Sequence, residues 1–345
     1  MKNPFVTNGY VSPEYFCDRE KETAKIVSLL TNENNIALIS PRRLGKTDLL
    51  RHCFGQPEIK EHYHTFIIDI YATSSVRDFV NVFGKAVLDE LRPKGKSVWS
   101  TFLNVLASLR SEITFDMNGQ PTWGIGLGAI TNPSATLDEI FSYLNNAGKP
   151  CLIAIDEFQQ ITKYADDPNI EAALRTHIQR CSNAHFVFSG SHRHLMGAMF
   201  TSPTRPFYQS VTLINLPPIS VDKYAEFCLK HFERASKLLD TLVVTELYER
   251  FNGITSYMQK VMNILFSMTG TGEICIPSMI DTAINDLLDF SADTYDALLY
   301  QMPEKQRIVF MAIAAEGKAK AISSGGFVRK YKLQSASSVS SAVKG

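Results

Sequence analysis

A short apolar run, Asn35-Ile36-Ala37-Leu38-Ile39, leads directly into Ser40-Pro41-Arg42-Arg43-Leu44-Gly45-Lys46-Thr47, and Thr47 to His52 then carries helical spacing. A continuously apolar run of this length reads as a strand buried on both faces, as in a parallel sheet covered by helices. A strand that passes through a loop into a helix by way of Gly-Lys-Thr has the layout of a phosphate site. Loop amides and the positive end of the helix dipole face an anion there. Lys46 supplies a point charge for the β- and γ-oxygens, and Thr47 a hydroxyl for Mg²⁺. In the pattern G-x-x-x-x-G-K-[ST], Ser40 stands in place of the first glycine. The closest backbone approach falls at Gly45, which is present, and Ser40 ends a strand, where a small side chain can serve. Ser40, Pro41, Arg42, Arg43, Leu44, Gly45, Lys46, Thr47 and Asp48 are therefore the candidate nucleotide-binding residues. A Gly-Lys-Thr at a helix start is common by chance, so a second element has to decide.

That element lies about 110 residues on, where Cys151 to Ile155 form another apolar run that ends in Asp156-Glu157. A buried strand delivering two carboxylates at its C-terminal edge suits Mg²⁺-nucleotide chemistry. Asp156 would hold the metal, directly or through its water, together with Thr47, and Glu157 would polarise the attacking water as general base. A third strand, His185 to Phe188, ends in Ser189-Gly190-Ser191. A polar residue ending the neighbouring strand would contact the terminal phosphate or the water, and both Ser189 and Ser191 are candidates. His192 and His194 have no third ligand at a recognisable spacing and read as surface histidines near a helix start.

Composition removes several classes. Thirty-five basic and thirty-five acidic side chains cancel, so no global field draws the chain to nucleic acid or a membrane surface. No apolar run approaches the ~20 residues of a membrane span, and Met1 to Tyr10 lack the features of a signal peptide. The six cysteines are scattered without a C-x-x-C pair. They read as isolated thiols in a reducing compartment, so a cytoplasmic protein is expected.

At 345 residues the chain has room for two or three domains. Residues 1–35 read as an N-terminal arm followed by a helix from Asp18 to about Leu30. Residues 36–219 read as the core, 220–292 as a helical lid and 293–345 as a helix-turn-helix. Within the core, strand two is Thr65 to Ile70, where Asp69 either joins the metal's surroundings or caps a turn. Ser74 to Leu91 and Ser97 to Leu109 are amphipathic helices. Residues 111–130 read as a β-hairpin insertion turning at Asn118-Gly119. Gly124, Gly126 and Gly128 fall inside its second strand and are not followed by a helix, which argues against a dinucleotide fingerprint. Thr136 with Glu139 forms a capping box for the next helix, ending near Ala147-Gly148. Lid helices are expected at about 220–233, 238–251, 254–268 and 276–290, the last with Pro277 in its first turn.

The C-terminal piece has three helical segments and a tight turn near Leu333-Gln334. Phe327 and Tyr331 pack it, and Arg329, Lys330, Lys332 and Lys344 add local positive charge. No β-wing follows, so it reads as a partial winged helix. The helix 335–344 is serine-rich and weakly basic, and DNA contact, protein docking and a structural role all stay open for it.

With these residues in hand, the chain resembles the AAA-like P-loop ATPases of bacteria and archaea, the archaeal-type ATPase domain of the STAND class. The matching stretches are FCDREKE (16–22), SPRRLGKT (40–47), CLIAIDEFQQI (151–161), FVFSGSHRHLM (186–196), RPFYQSVTLINLPPIS (205–220) and FNGITSYMQKVMNILF (251–266). The resemblance implies an α/β P-loop NTPase core of three layers with sheet order 5-1-4-3-2, a helical lid and a C-terminal winged helix. It implies ATP and Mg²⁺ as cofactors, and a slowly hydrolysing ATPase that acts as a nucleotide-driven switch toward a protein partner. Arg42 and Arg43 match the family's Pro-Arg-Arg loop. Arg205 matches a position where relatives carry arginine, which ranks it with Lys46 and Glu157 as a catalytic candidate beside a strand-capping role. In the family the arm lies near the adenine, so Tyr10 to Phe16 line the base pocket or simply pack. A lid arginine of the AAA+ kind is not evident, because the lid reads Ile254-Thr255-Ser256-Tyr257. A DNA-binding regulator with the nucleotide fold as scaffold is the competing expectation, and a non-hydrolysing interaction module is a third. The oligomeric state, and ATP against GTP, stay open.

Overall fold

The structure is a computed structural model and describes residues 2–91, 113–115, 121–123, 132–317 and 319–344. The expected helix 97–109, the Asn118-Gly119 turn and the three spaced glycines lie outside the described residues. The chain forms two compact units, Met1–Pro277 and Ser278–Gly345, the division falling within the segment expected as lid.

In the first unit, helix α1 (Glu20–Thr31) leads to strand β1 (Ile36–Ile39). Helices α2 (Lys46–Phe54) and α3 (Pro57–His62) then lead to β2 (His64–Asp69), and α4 (Val76–Glu90) follows. The short strands β3 (Ile113–Phe115) and β4 (Pro121–Trp123) pair antiparallel, which accords with the expected hairpin. Helix α5 (Pro133–Asn145) precedes β5 (Cys151–Asp156), α6 (Ile170–Arg180), β6 (Ala184–Gly190), α7 (Arg193–Thr201) and β7 (Thr212–Asn215). Helices α8 (Val221–Arg234), α9 (Thr241–Phe251) and α10 (Thr255–Met268) complete the unit, with the two-residue strands β8 (Leu238–Leu239) and β9 (Ile274–Cys275) paired parallel.

The main sheet runs β2-β5-β6-β1-β7, and every pairing in it is parallel. Counted along the core strands alone this is 5-1-4-3-2 read from the far edge, as the resemblance implied. Strands β1, β5 and β6 are buried at every residue because both faces are covered. Ala37, Ile39, Ile153, Ile155, Phe186 and Phe188 join one apolar cluster, and Ile36, Leu38, Leu152, Ala154 and Val187 join the other. Alternate residues of one apolar run thus feed two cores, which explains why those runs carry no polar alternation. A parallel sheet also gathers its strand ends at one edge, and the loops that leave that edge build the site.

One boundary differs from expectation. Helix α5 begins at Pro133, with Asn132 as its cap accepting from the Ala135 amide at 3.2 Å, rather than at Thr136. The Thr136-x-x-Glu139 spacing matches a capping box, but proline is suited to the first helical position and Asn132 is a good cap for it. Thr136 therefore sits inside the first turn, its hydroxyl donating to the Asn132 carbonyl at 3.0 Å.

The second unit contains the long helix Ile280–Gln301 and the shorter helices Glu304–Glu316, Gly325–Lys330 and Ala336–Lys344. Val309, Ala312, Phe327 and Val339 are buried in it, and the Phe327 and Tyr331 rings lie 4.8 Å apart.

Candidate functional site

The loop between β1 and α2 holds two residues in the left-handed region, Arg43 at φ 69° and Gly45 at φ 82°. A Cβ on Gly45 would meet nothing within 4 Å, so backbone conformation rather than space asks for glycine there. Ser40 is buried, and its amide donates to the Gly190 carbonyl at 3.4 Å, which ties the loop to the end of β6. Lys46 opens α2 and is only 7% exposed. Its Nζ donates to the Ser40 carbonyl at 3.4 Å. Burial pushes the Lys46 pKa down, and Arg42 acts in the same direction, while Asp156 and Glu157 oppose both. Lys46 is thus a buried cation with one guanidinium and two carboxylates close by, a mixed-charge setting that suits an anion together with a divalent cation.

Residues remote in sequence meet at this point. The Thr47 hydroxyl donates to Asp156 Oδ2 at 2.6 Å, and the Glu157 amide donates to Asp156 Oδ1 at 3.0 Å. Glu157 itself is left-handed at φ 53°. Its Oε2 accepts from the Ser191 hydroxyl at 2.8 Å and from the Gln159 amide. Arg42 Nε in turn donates to Ser191 Oγ at 3.3 Å, and its guanidinium lies 5.5 Å from the centre of the Tyr71 ring. Among the described residues no group of three or more His, Cys, Asp or Glu could hold a metal. The Thr47–Asp156 pair nevertheless fits Mg²⁺, which keeps several waters and takes few protein oxygens when phosphates supply the rest.

Part of this constellation lines a cavity of about 330 Å³, with Ser40, Tyr71, Gln159 and Ser191 outside its lining. Arg42, Arg43, Leu44, Gly45, Lys46, Thr47, Asp48, Asp156 and Glu157 line it, as do arm residues between Val6 and Arg19 and, from α10, Thr255, Ser256 and Gln259. The arm is pinned at both sides of the cavity. Tyr10 hydrogen-bonds His52 Nδ1 at 3.0 Å and Phe16 stacks on the His52 ring at 4.4 Å. Phe5, fully buried, sits 5.7 to 6.1 Å from the rings of Phe227, Phe232 and Phe266.

Four expected site residues, Ser40, Pro41, Ser189 and Arg205, are not in the lining. Pro41 is exposed. Ser189 is fully buried, its hydroxyl without a partner, and of the two serines it is Ser191 that reaches Glu157. Arg205 does not reach the cavity but pairs with Glu171, which is buried on α6. Asp69 caps its own turn, accepting from the Tyr71 amide at 2.8 Å. Gln159, Thr255 and Gln259 were not anticipated. The run Asp156-Glu157-Phe158-Gln159 held a signal for the first, since a turn of 3-10 helix after Glu157 brings residue i+2 back to it.

A parallel sheet in this order, with a phosphate loop after its first strand and an acidic pair ending the strand two places away, defines a P-loop NTPase core. The family described as an ATPase domain predominantly from Archaea matches residues 16–261, and the chain belongs to it. A second family, described as "Probable winged helix domain", matches residues 293–345. Among solved structures, the chain is similar to a Walker-type ATPase of Pyrococcus abyssi, at 17% identity and TM-score 0.61 over 99% of this chain and 88% of that one. It is also similar to the ORC1 protein of Aeropyrum pernix in complex with DNA, at 13% identity and TM-score 0.57 over 96% and 83%. The ORC2 protein of the same organism, with ADPNP and ADP, gives 14% and 0.57 over 96% and 82%. At these identities the likeness is one of fold. No curated protein is found to be a relative. Among the described residues no helix is long and apolar enough to cross a membrane.

Proposed function

We propose that the chain binds Mg-ATP in the cavity on the phosphate loop and hydrolyses it slowly, as a nucleotide-driven switch. The observation that carries this reading is the 2.6 Å contact between the Thr47 hydroxyl and Asp156, residues 109 positions apart, beside a buried Lys46. The loop amides and Lys46 bind and orient the phosphates, Thr47 and Asp156 hold Mg²⁺, and Arg42 and Arg43 add positive charge at the rim. The metal's part is to neutralise charge on the phosphate oxygens. Glu157, oriented by Ser191 and Gln159, takes the proton of a water held beside it. The arm rings near His52 suit a purine base, and closing α10 over the cavity excludes water. Arg205, held by Glu171, serves the fold rather than this cavity.

Isothermal titration with ATP and Mg²⁺, with phosphate release measured in parallel, tests the proposal. Lys46→Ala weakens binding by an order of magnitude or more. Glu157→Gln spares binding and stops turnover. Unchanged behaviour in both variants rules the reading out.

The winged helix match at 293–345 supports a second reading, a DNA-binding regulator that uses the core as scaffold. It requires salt-sensitive duplex binding that survives Lys46→Ala and falls when Arg329 and Lys330 are neutralised. Lys330 is already engaged by Glu316 at 2.7 Å, which reduces its availability to phosphate.

A further inference from the structure

No basic side chain of α10 lines the cavity; that helix contributes Thr255, Ser256 and Gln259. The cation at this boundary comes instead from the loop. Arg43 Nη1 donates to the Tyr257 hydroxyl, and the guanidinium carbon lies 4.9 Å from the centre of the Tyr257 ring. The Ser256 amide donates to the Arg43 carbonyl at 3.2 Å, so main chain and side chain of one loop residue are both held by the first turn of α10. The Tyr257 ring is braced by Phe251 at 5.7 Å. Arg43 has φ 69°, a conformation a non-glycine residue holds only when its surroundings enforce it. The Thr255 hydroxyl beside this contact is buried without a hydrogen-bond partner.

We infer that Tyr257 is a positioning residue that aims Arg43 at the bound phosphates, and through it couples α10 to the charge of the nucleotide. This rests on the reading of the cavity as a nucleotide site. A guanidinium presents five N–H donors in a rigid fork. With one taken by a neutral phenol, the others stay free for an anion, and bonds to phosphate are the stronger ones. A triphosphate carries one more negative charge than a diphosphate, so an aligned cation on the wall favours the triphosphate. The preference extends to α10 because moving the helix moves the guanidinium. A ligand shifts such an element only by the difference in its affinity for the two positions.

The test compares wild type, Tyr257→Phe and Lys46→Ala, titrated with ADP and with the β,γ-imido analogue of ATP. Backbone hydrogen exchange over 255–268 is followed in each. Tyr257→Phe keeps the ring face and loses only the oxygen. Its affinity for the analogue falls about tenfold and its affinity for ADP by less than twofold. The analogue's extra protection of 255–268 over that given by ADP disappears. Wild-type discrimination and protection in Tyr257→Phe overturn this inference alone. Wild-type protein that binds neither ligand, or Lys46→Ala that binds both as wild type does, overturns the nucleotide reading and this inference with it.

Discussion

The Ser191 hydroxyl, at the end of β6, donates to Glu157 Oε2, at the end of β5, across 2.8 Å. This contact fixes a carboxylate whose own backbone is left-handed, and the Gln159 side-chain amide donates to the same oxygen. Ser191→Ala removes one of two donors. Turnover falls about tenfold, or roughly 1.4 kcal/mol in the barrier, while the nucleotide Kd stays within twofold. Steady-state phosphate release and titration calorimetry on the same preparation separate the two. An equal loss in both would mean that the whole pocket has loosened.

The Glu171–Arg205 pair makes a stability prediction with a pH signature. Burial raises the Glu171 pKa above 4.5 and Arg205 opposes the rise. In Arg205→Met the opposition is gone and the folded-state pKa climbs further. A carboxyl with a raised folded pKa stabilises below that pKa and loses this as pH rises through it. The variant is therefore less stable than wild type by about 2 kcal/mol at pH 8, and the deficit shrinks toward pH 4.5. Chemical denaturation at the two pH values measures it. A deficit independent of pH would assign Arg205 to packing alone.

Four histidines, His52, His177, His185 and His231, are pushed below the ordinary 6.5, with burial the largest cause for each. A lowered folded pKa means the unfolded chain takes the proton first. Stability is complete above pH 6.5 and declines as pH falls from there toward the folded values. Melting temperature should drop between pH 7.5 and 5.5. His185→Leu, which removes one such group from β6, should show a shallower drop.

Phe5→Ala removes a fully buried ring from the aromatic cluster with Phe227, Phe232 and Phe266. The transfer and cavity terms together predict a loss of about 3–4 kcal/mol. Because the same arm lines the cavity, nucleotide affinity should fall along with the denaturation midpoint. Retained affinity in the destabilised variant would show that the arm's two ends act independently.

Much of the core could be read from the chain because its signals are local. Unbroken apolar runs at 36–39 and 151–155 mark strands covered on both faces, and Lys46, Thr47, Asp156 and Glu157 follow such runs. The misplacements share one cause. Which way a side chain leaves the sheet edge depends on partners that spacing does not reveal. Arg205 follows a strand and a helix in the expected order, yet a buried carboxylate on α6 claims it. Ser189 and Ser191 lie two residues apart, and only the register against β5 separates a hydroxyl within the sheet from one at Glu157. Arg43 and Tyr257, 214 positions apart, carry no mark in either local stretch. The two-residue pair β8–β9 is too short for any pattern to announce it.

Residues 2–17 run along the wall of the cavity like a strap sewn at both hems, Phe5 among the rings of α8 and α10, and Tyr10 and Phe16 on α2. Swinging those helices away from the sheet must either drag this strap along or tear out one seam. Expression tags that crowd Phe5 would therefore disturb nucleotide exchange while leaving every residue of the phosphate loop intact.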